Sequence, residues 1–305
     1  MVVCPLHHTM ISFIIHRVLL SIAAQDMITR TQTVWPRYGT NPGYEQPGVG
    51  AHGFQEICTS SLATALEWGM FEYAKGVLDN YLSYFVRSRG RVLYRGLEMS
   101  QLGRLLVLTA EYYFYTGDET MLLRHQDKLR GIAEHLYHRR QMALEQYPAA
   151  DDPRHGMPTG NDEADMFIYS VLLDAKTELA FISIAAEMWR GFRDLGDAIA
   201  SIVAAHSTAT SSRTSASVHG SSLNGVRVPV LAELGQNLTA EAPAILRDLQ
   251  HSMLISKIPG TYPRCLPYVA GAGTCDELNA TQATSDRASE SWRTYSELML
   301  RYDSN

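Results

Sequence analysis

From residue 54 onward the chain carries two kinds of helical segment in alternation, and this restricts it more than any other feature. Phe54 to Trp68 is apolar or small nearly all round, whereas the next segment confines Phe71, Ala74, Leu78, Leu82 and Phe85 to one face and sets Glu72, Lys75, Asp79 and Asn80 elsewhere. Gln101 to Tyr115 is again mostly apolar. Gly117 is placed to end it, and Asp118 to cap a successor with Leu122, Leu129, Ala133 and Leu136 on one stripe. The opposite stripe holds Arg124, Asp127, Lys128, Arg130, Glu134 and Arg139. A third round runs from Met166 to Trp189, followed by a one-sided helix through Leu195, Ala198, Ile199, Ile202 and Val203. A plain up-down bundle makes every helix one-sided. Fully buried helices alternating with half-exposed ones instead predict an inner and an outer layer, an all-α fold of helical hairpins.

The alternation stops at His206 to Gly225, whose Ser, Thr and Gly content lacks a helical apolar period and predicts a loosely attached linker or insertion. A moderate helix from Ala240 to Ser256 follows, then a Pro/Gly/Cys loop, then a last helical start at Ser289 and Trp292. The periodicities predict about eight helices. Residues 1–34 form a separate N-terminal segment. Its stretch from Met10 to Ala24 is apolar, but His16 and Arg17 interrupt it and it is shorter than the roughly 20 residues of a membrane span. A signal peptide carries its positive charge ahead of the apolar run, so the interior Arg17 leaves a degenerate signal and an ordinary helix as equal readings.

Composition narrows the partners. With 32 acidic residues against 26 basic ones and a formal charge of −6, the chain lacks the clustered Lys and Arg that phosphate binding needs, which argues against nucleic acid. The run with Arg87, Arg89, Arg91 and Arg95 reads as a solvated loop between helices. The cysteines, Cys4, Cys58, Cys265 and Cys275, show no CxxC spacing, so neither a zinc site nor a thioredoxin-type motif is indicated, and no cofactor is expected. Cys265 and Cys275 flank a loop in a way compatible with a disulfide. Sequons at Asn237 and Asn279 suit a secreted chain, but so short a pattern also arises by chance, and compartment stays open between secreted and cytoplasmic.

The stretch that draws most attention is "HGMPTGNDEADMF", residues 155–167, where Asp162, Glu163 and Asp165 gather just before an apolar run. One acid can cap a helix and the others lie at the positive end of its dipole. Three acids close together also repel, which raises at least one pKa and suits a proton donor. Calcium is a minor reading, because the spacing fails the EF-hand pattern. Glu98 sits at the corresponding point before an inner helix, where first-turn acids are common for structural reasons alone. The glycine- and proline-rich loop from Trp35 to Phe54 places Trp35, Tyr38, Tyr44 and His52 where aromatic platforms for sugar rings, or equally a structural lid, are expected. Tyr112, Tyr113, Phe114 and Tyr115 are expected in the core. His135 and His138 lie on the charged stripe and are expected to be solvated.

The segment from Tyr94 to Leu136, with its "YYFYTGD" ending, resembles the six-hairpin glycosidase superfamily of (α/α)6 toroids, and so do "GNDEADMF", "AEMWRGFRDLGD" and "SESWRTYSELM". The likeness covers roughly residues 35–205 and resumes at Leu246. It implies a glycoside hydrolase acting on an oligo- or polysaccharide at the mouth of a barrel, with one carboxyl as general acid and another activating water. The candidates for that pair are Glu98 and one of Asp162, Glu163 and Asp165. Substrate contacts fall to Trp35, Tyr38, Tyr44, His52, Tyr94, Arg95 and His155. A closed ring of six hairpins needs twelve helices, so the toroid expected over residues 35–305 is incomplete. A non-catalytic or degenerate toroid that binds glycans or serves as a scaffold is the alternative.

Overall fold

The computed structural model describes residues 55–87, 89–90, 99–160, 179–212, 222–256 and 270. Helix covers 81% of them and no strand occurs among them, so the fold is all-α. None of the described helices is long and apolar enough to cross a membrane. The described residues divide between Ser83 and Tyr84 into two compact units.

In the first unit, α1 (Gln55–Glu67) and α2 (Phe71–Asn80) form a hairpin. Gly69 makes the turn at φ 74°, which lets Met70 N–H bond Ala65 O at 2.8 Å and Gly69 N–H bond Leu66 O at 3.1 Å. These two bonds close a Schellman motif and satisfy carbonyls that the helix end would otherwise strand. Leu62, Ala65, Leu66, Ala74, Val77 and Leu78 are buried, as the apolar spacing requires. A single π turn, Tyr81–Phe85, continues α2.

The second unit contains four long helices, α3 (Met99–Thr116), α4 (Thr120–Gln146), α5 (Ile182–Ser212) and α6 (Ser222–Ile255). The α3–α4 corner follows its sequence signals. Gly117 takes φ 68° and returns its N–H to Tyr113 O at 2.7 Å, while Asp118 Oδ1 accepts from the Thr120 N–H at 3.0 Å. The buried Tyr112 donates its hydroxyl to Asp118 Oδ2 at 2.8 Å. Only this first member of the aromatic run is core. Phe114 and Tyr115 are about half exposed, although α5 runs on past this corner, where its His206 bonds Glu119.

Burial follows the expected alternation. Twelve of the eighteen α3 residues are buried, whereas α4 buries Leu122, Leu129, Ala133 and Leu136 and turns Arg124, Asp127, Glu134 and His138 outward. The pairing of the third round differs from expectation. The segment ending at Trp189 and the one through Val203 are one continuous helix, α5, whose first half is buried nearly all round and whose second half is one-sided. Its hairpin partner is α6. Of the serine- and threonine-rich stretch, the part through Ser212 belongs to α5 and the part from Ser222 to α6, and residues 213–221 lie outside the described residues. The helix continues here without an apolar face, and the hydroxyls of Ser207 and Thr208 fold back onto the carbonyls of Val203 and Ala205 at 2.8 and 2.9 Å. Likewise α6 begins well before Ala240 and contains Pro229 and Pro243.

Glycines set where these helices meet. A Cβ on Gly103 would lie 2.6 Å from Glu187 O, and one on Gly191 would lie 2.6 Å from Gly103 O. The backbones of α3 and α5 therefore touch with no side chain between them. On the other flank of α5, a Cβ on Gly196 would stand 2.7 Å from Thr239 Oγ1 of α6, and one on Gly235 would stand 2.5 Å from Ile199 Cγ2. Ion pairs border the first crossing: Arg104 to Glu187 at 3.1 Å, and Arg190 to Glu111 at 2.6 Å and to Asp194 at 3.1 Å. Arg104 meets Glu187 and Glu111 meets Arg190, so α3 and α5 run in the same direction, whereas Gly196 meets Thr239 and Ile199 meets Gly235, so α6 runs opposite to α5. Among the described residues the helix contacts form a circuit of α3, α5, α6 and α4.

A Gly103→Val substitution forces the backbones apart and is expected to lower the free energy of unfolding by about 3 kcal/mol. Gly117→Ala has open space around its new Cβ and bears only the strain of positive φ, about 1 kcal/mol. Urea unfolding of the two variants checks the difference; equal losses would show that the crossing does not depend on the missing side chain.

Candidate functional site

Helix α4 ends where proline dictates. Pro148 disfavours helical geometry at Tyr147, which sits at φ −124°, ψ 71°. The chain then runs through consecutive turns, with Asp152 N–H on Ala149 O, His155 N–H on Asp152 O and Met157 N–H on Arg154 O, each at 3.0 Å. Asp152 organises them. Its carboxylate accepts from its neighbour's backbone, Arg154 N, at 2.8 Å and takes a two-pronged bond from the same guanidinium at 2.9 and 2.8 Å. That guanidinium also lies over the Tyr147 ring, 4.1 Å from its centroid. The hydrogen bonds from Arg154 hold the Asp152 carboxyl below its ordinary value and raise the guanidinium in turn.

His155 is half-buried, and its Nδ1 is 2.7 Å from Tyr147 O. A carbonyl only accepts, so Nδ1 carries a proton and donates it to Tyr147 O. The next residue, Gly156, adopts φ 67° and packs against an internal ion pair. Arg140 of α4, 5% exposed, reaches Asp248 Oδ2 of α6 at 2.6 Å and the Gly156 carbonyl at 3.4 Å. A side chain on Gly156 would overlap both partners, its Cβ falling 2.6 Å from Arg140 Nη1. Met157 beyond it is fully buried with Ala180, Ile182, Ala185, Ala186, Leu249 and Ala270.

Two backbone bonds close this end of the unit. Gly160 N–H donates to Leu179 O at 3.0 Å, and Ala270 N–H donates to Ala180 O at 2.9 Å. Gly160 also lies directly on the side chain of Met99, the first residue of α3, so that a Cβ there would overlap it. The starts of α3 and α5 and the ends of α4 and α6 thus gather at one end of the unit.

Of the residues singled out in the sequence, His155 is at this end. Glu98, Asp162, Glu163 and Asp165 lie outside the described residues, as do Trp35, Tyr38, Tyr44, His52, Tyr94 and Arg95, the N-terminal segment 1–34, and Cys265 and Cys275. Of the two histidines expected to be solvated, His138 is exposed and His135 is half-buried. No group of three or more His, Cys, Asp or Glu side chains that could hold a metal ion occurs among the described residues. Sequence reasoning missed Arg140 and Asp248. A signal existed: Leu129, Ala133 and Leu136 set the apolar phase of α4, and Arg140 falls on that phase, where an unpaired charge cannot remain.

Arg140→Met leaves the Asp248 carboxylate without its buried partner and is expected to remove about 3 kcal/mol of stability, much of it regained in Arg140→Met/Asp248→Leu. Trypsin should cut after Arg154 at least tenfold faster in the single variant; unchanged cleavage would show that the pair does not anchor the loop. A folded pKa below the unfolded one means that the Asp152–Arg154 contact stabilises the loop above the ordinary value of 3.8 and is lost as pH falls through the lowered value. Carboxyl-carbon NMR should place the Asp152 midpoint below 3.8 and return it towards that value in Arg154→Gln.

Compared with protein-family profiles, curated proteins and solved structures, the chain matches none.

Proposed function

We propose that the protein hydrolyses a glycosidic bond, with Glu98 and one of Asp162, Glu163 and Asp165 as its carboxyl pair. The observation that carries this reading is the contact of Met99 with Gly160. Met99 follows Glu98 in the chain and Gly160 precedes the acidic stretch, so the described residues next to the two acid-bearing segments touch each other. Helix order gives further support. Two hairpins, α3–α4 and α5–α6, stand side by side with the more buried members parallel to each other, which is how neighbouring hairpins are arranged in an incomplete α/α toroid. In this reaction one carboxyl protonates the leaving oxygen while the other takes a proton from the attacking water, across about 6.5–9.5 Å. His155, whose Nε2 has no partner among the described residues, stands at the same end to bind a sugar hydroxyl.

Glu98→Gln and Glu163→Gln are each expected to reduce turnover of an oligosaccharide panel by about 10³-fold without changing the thermal midpoint. Full activity in both would remove the assignment.

A scaffold or glycan-binding role without catalysis is the second reading. It draws on the commitment of Arg140, Asp248, Asp152 and Arg154 to one another, which leaves these charges with structural work at the mouth. Absence of turnover on the whole panel, together with glycan binding that survives both glutamine substitutions, would select it.

A further inference from the structure

Away from this mouth, α4 and α6 are neighbours that barely touch. Two arginines of α4 act as struts between them. Arg130 donates to Val230 O at 2.9 Å and pairs with Glu233 at 3.5 Å, and Arg140 reaches Asp248. The struts leave α4 ten residues apart, about 15 Å along the axis. Between them Ala133 is too short to cross the gap. The result is a groove of about 310 Å³.

Its floor is apolar, formed by Phe192 of α5 with Leu234 and Leu238 of α6, all at least nine-tenths buried. Its rim is polar. Glu134 and Tyr137 stand on the α4 side and Asn237 and Glu241 on the α6 side, at matching i, i+3, i+4, i+7 positions of the two helices. The positive charge of Arg130 is taken up by Glu233. Among the described residues Glu134 and Glu241 have no hydrogen-bond or ion partner, so the uncommitted charge around the opening is negative on both walls. The Tyr137 ring is 39% exposed at the edge, and an aromatic face attracts a cation. A volume near the lower end of the roughly 300–1,000 Å³ typical of ligand pockets selects a small guest.

We propose that this groove binds a small organic cation, an ammonium group carried on an apolar or aromatic body. The apolar part lies on Phe192, Leu234 and Leu238, and the ammonium sits between Glu134 and Glu241 beside Tyr137. Binding is separate from the mouth and does not rest on the hydrolase reading.

The test titrates the full chain with phenethylammonium, with 2-phenylethanol as the neutral isostere and 3-phenylpropionate as the anion, by calorimetry and saturation-transfer NMR. Phenethylammonium should bind in the sub-millimolar range and at least tenfold more tightly than either analogue, with affinity falling as salt is raised. Glu134→Gln and Glu241→Gln, both near the surface, should each weaken it three- to tenfold with circular dichroism unchanged. Ala133→Leu should fill the gap between the struts and abolish binding. Equal binding of the neutral or anionic analogue, no binding of phenethylammonium below 10 mM on the order of a weak fragment's limit, or undiminished affinity in the glutamine variants would each overturn the proposal.

Discussion

Backbone against backbone, at Gly103 and Gly191, is the contact on which the second unit depends. A glycine inside a helix costs about 1 kcal/mol relative to alanine, and α3, α5 and α6 all carry one at a crossing. The penalty is offset by the close approach: dispersion contacts along the seam multiply, and the ion pairs of Arg104 and Arg190 are brought within reach across it. Because α5 is gripped in this way by α3 on one side and by α6 on the other, it cannot shift along its axis without lifting one crossing. The position of its first residue, Ile182, follows, and with it the small apolar cluster around Met157 that seats the loop after α4.

The fourth helix is held by a different kind of force. Between α4 and α6 there are no glycine seams among the described residues, and arginine side chains bridge the distance. A long side chain with a charged end fixes a separation without filling the volume it spans, which explains why a well-packed core on one side of α5 coexists with an open groove on the other. The same chemistry makes Arg140 the more consequential strut. It is buried where Arg130 is partly solvated, so its carboxylate partner is obligatory and the Gly156 carbonyl becomes a third party to the bond.

Much of this was legible in the amino-acid sequence, and for identifiable reasons. All-round apolar stretches became the buried helices because period and burial are directly linked, and Gly69, Gly117 and Asp118 marked helix ends because their roles are local. Errors arose where tertiary context decides. The absence of an apolar period at His206–Ser212 suggested a break, but the backbone stays helical through Ser212, with the Ser207 hydroxyl turned onto the Val203 carbonyl. A change from all-round to one-sided burial at the middle of α5 looked like two helices, since the eye reads each environment as an element. The exposure of Phe114 and Tyr115 depends on which part of α3 its neighbours cover, which no spacing within their own segment reveals. At the candidate site, His155 stood out by composition, whereas Arg140 and Asp248 acquire meaning only through a contact spanning more than a hundred residues of chain.

The antiparallel bridge between Gly160 and Leu179 has an implication for change over time. Met157 and Ala180 lie in one apolar cluster beside the two residues of the bridge. A close-packed interior has no slack, so a change of volume at one of these positions is felt at the other. The bridge and the cluster beside it are therefore expected to vary together, while the glycine seams, which contain none of these residues, vary on their own.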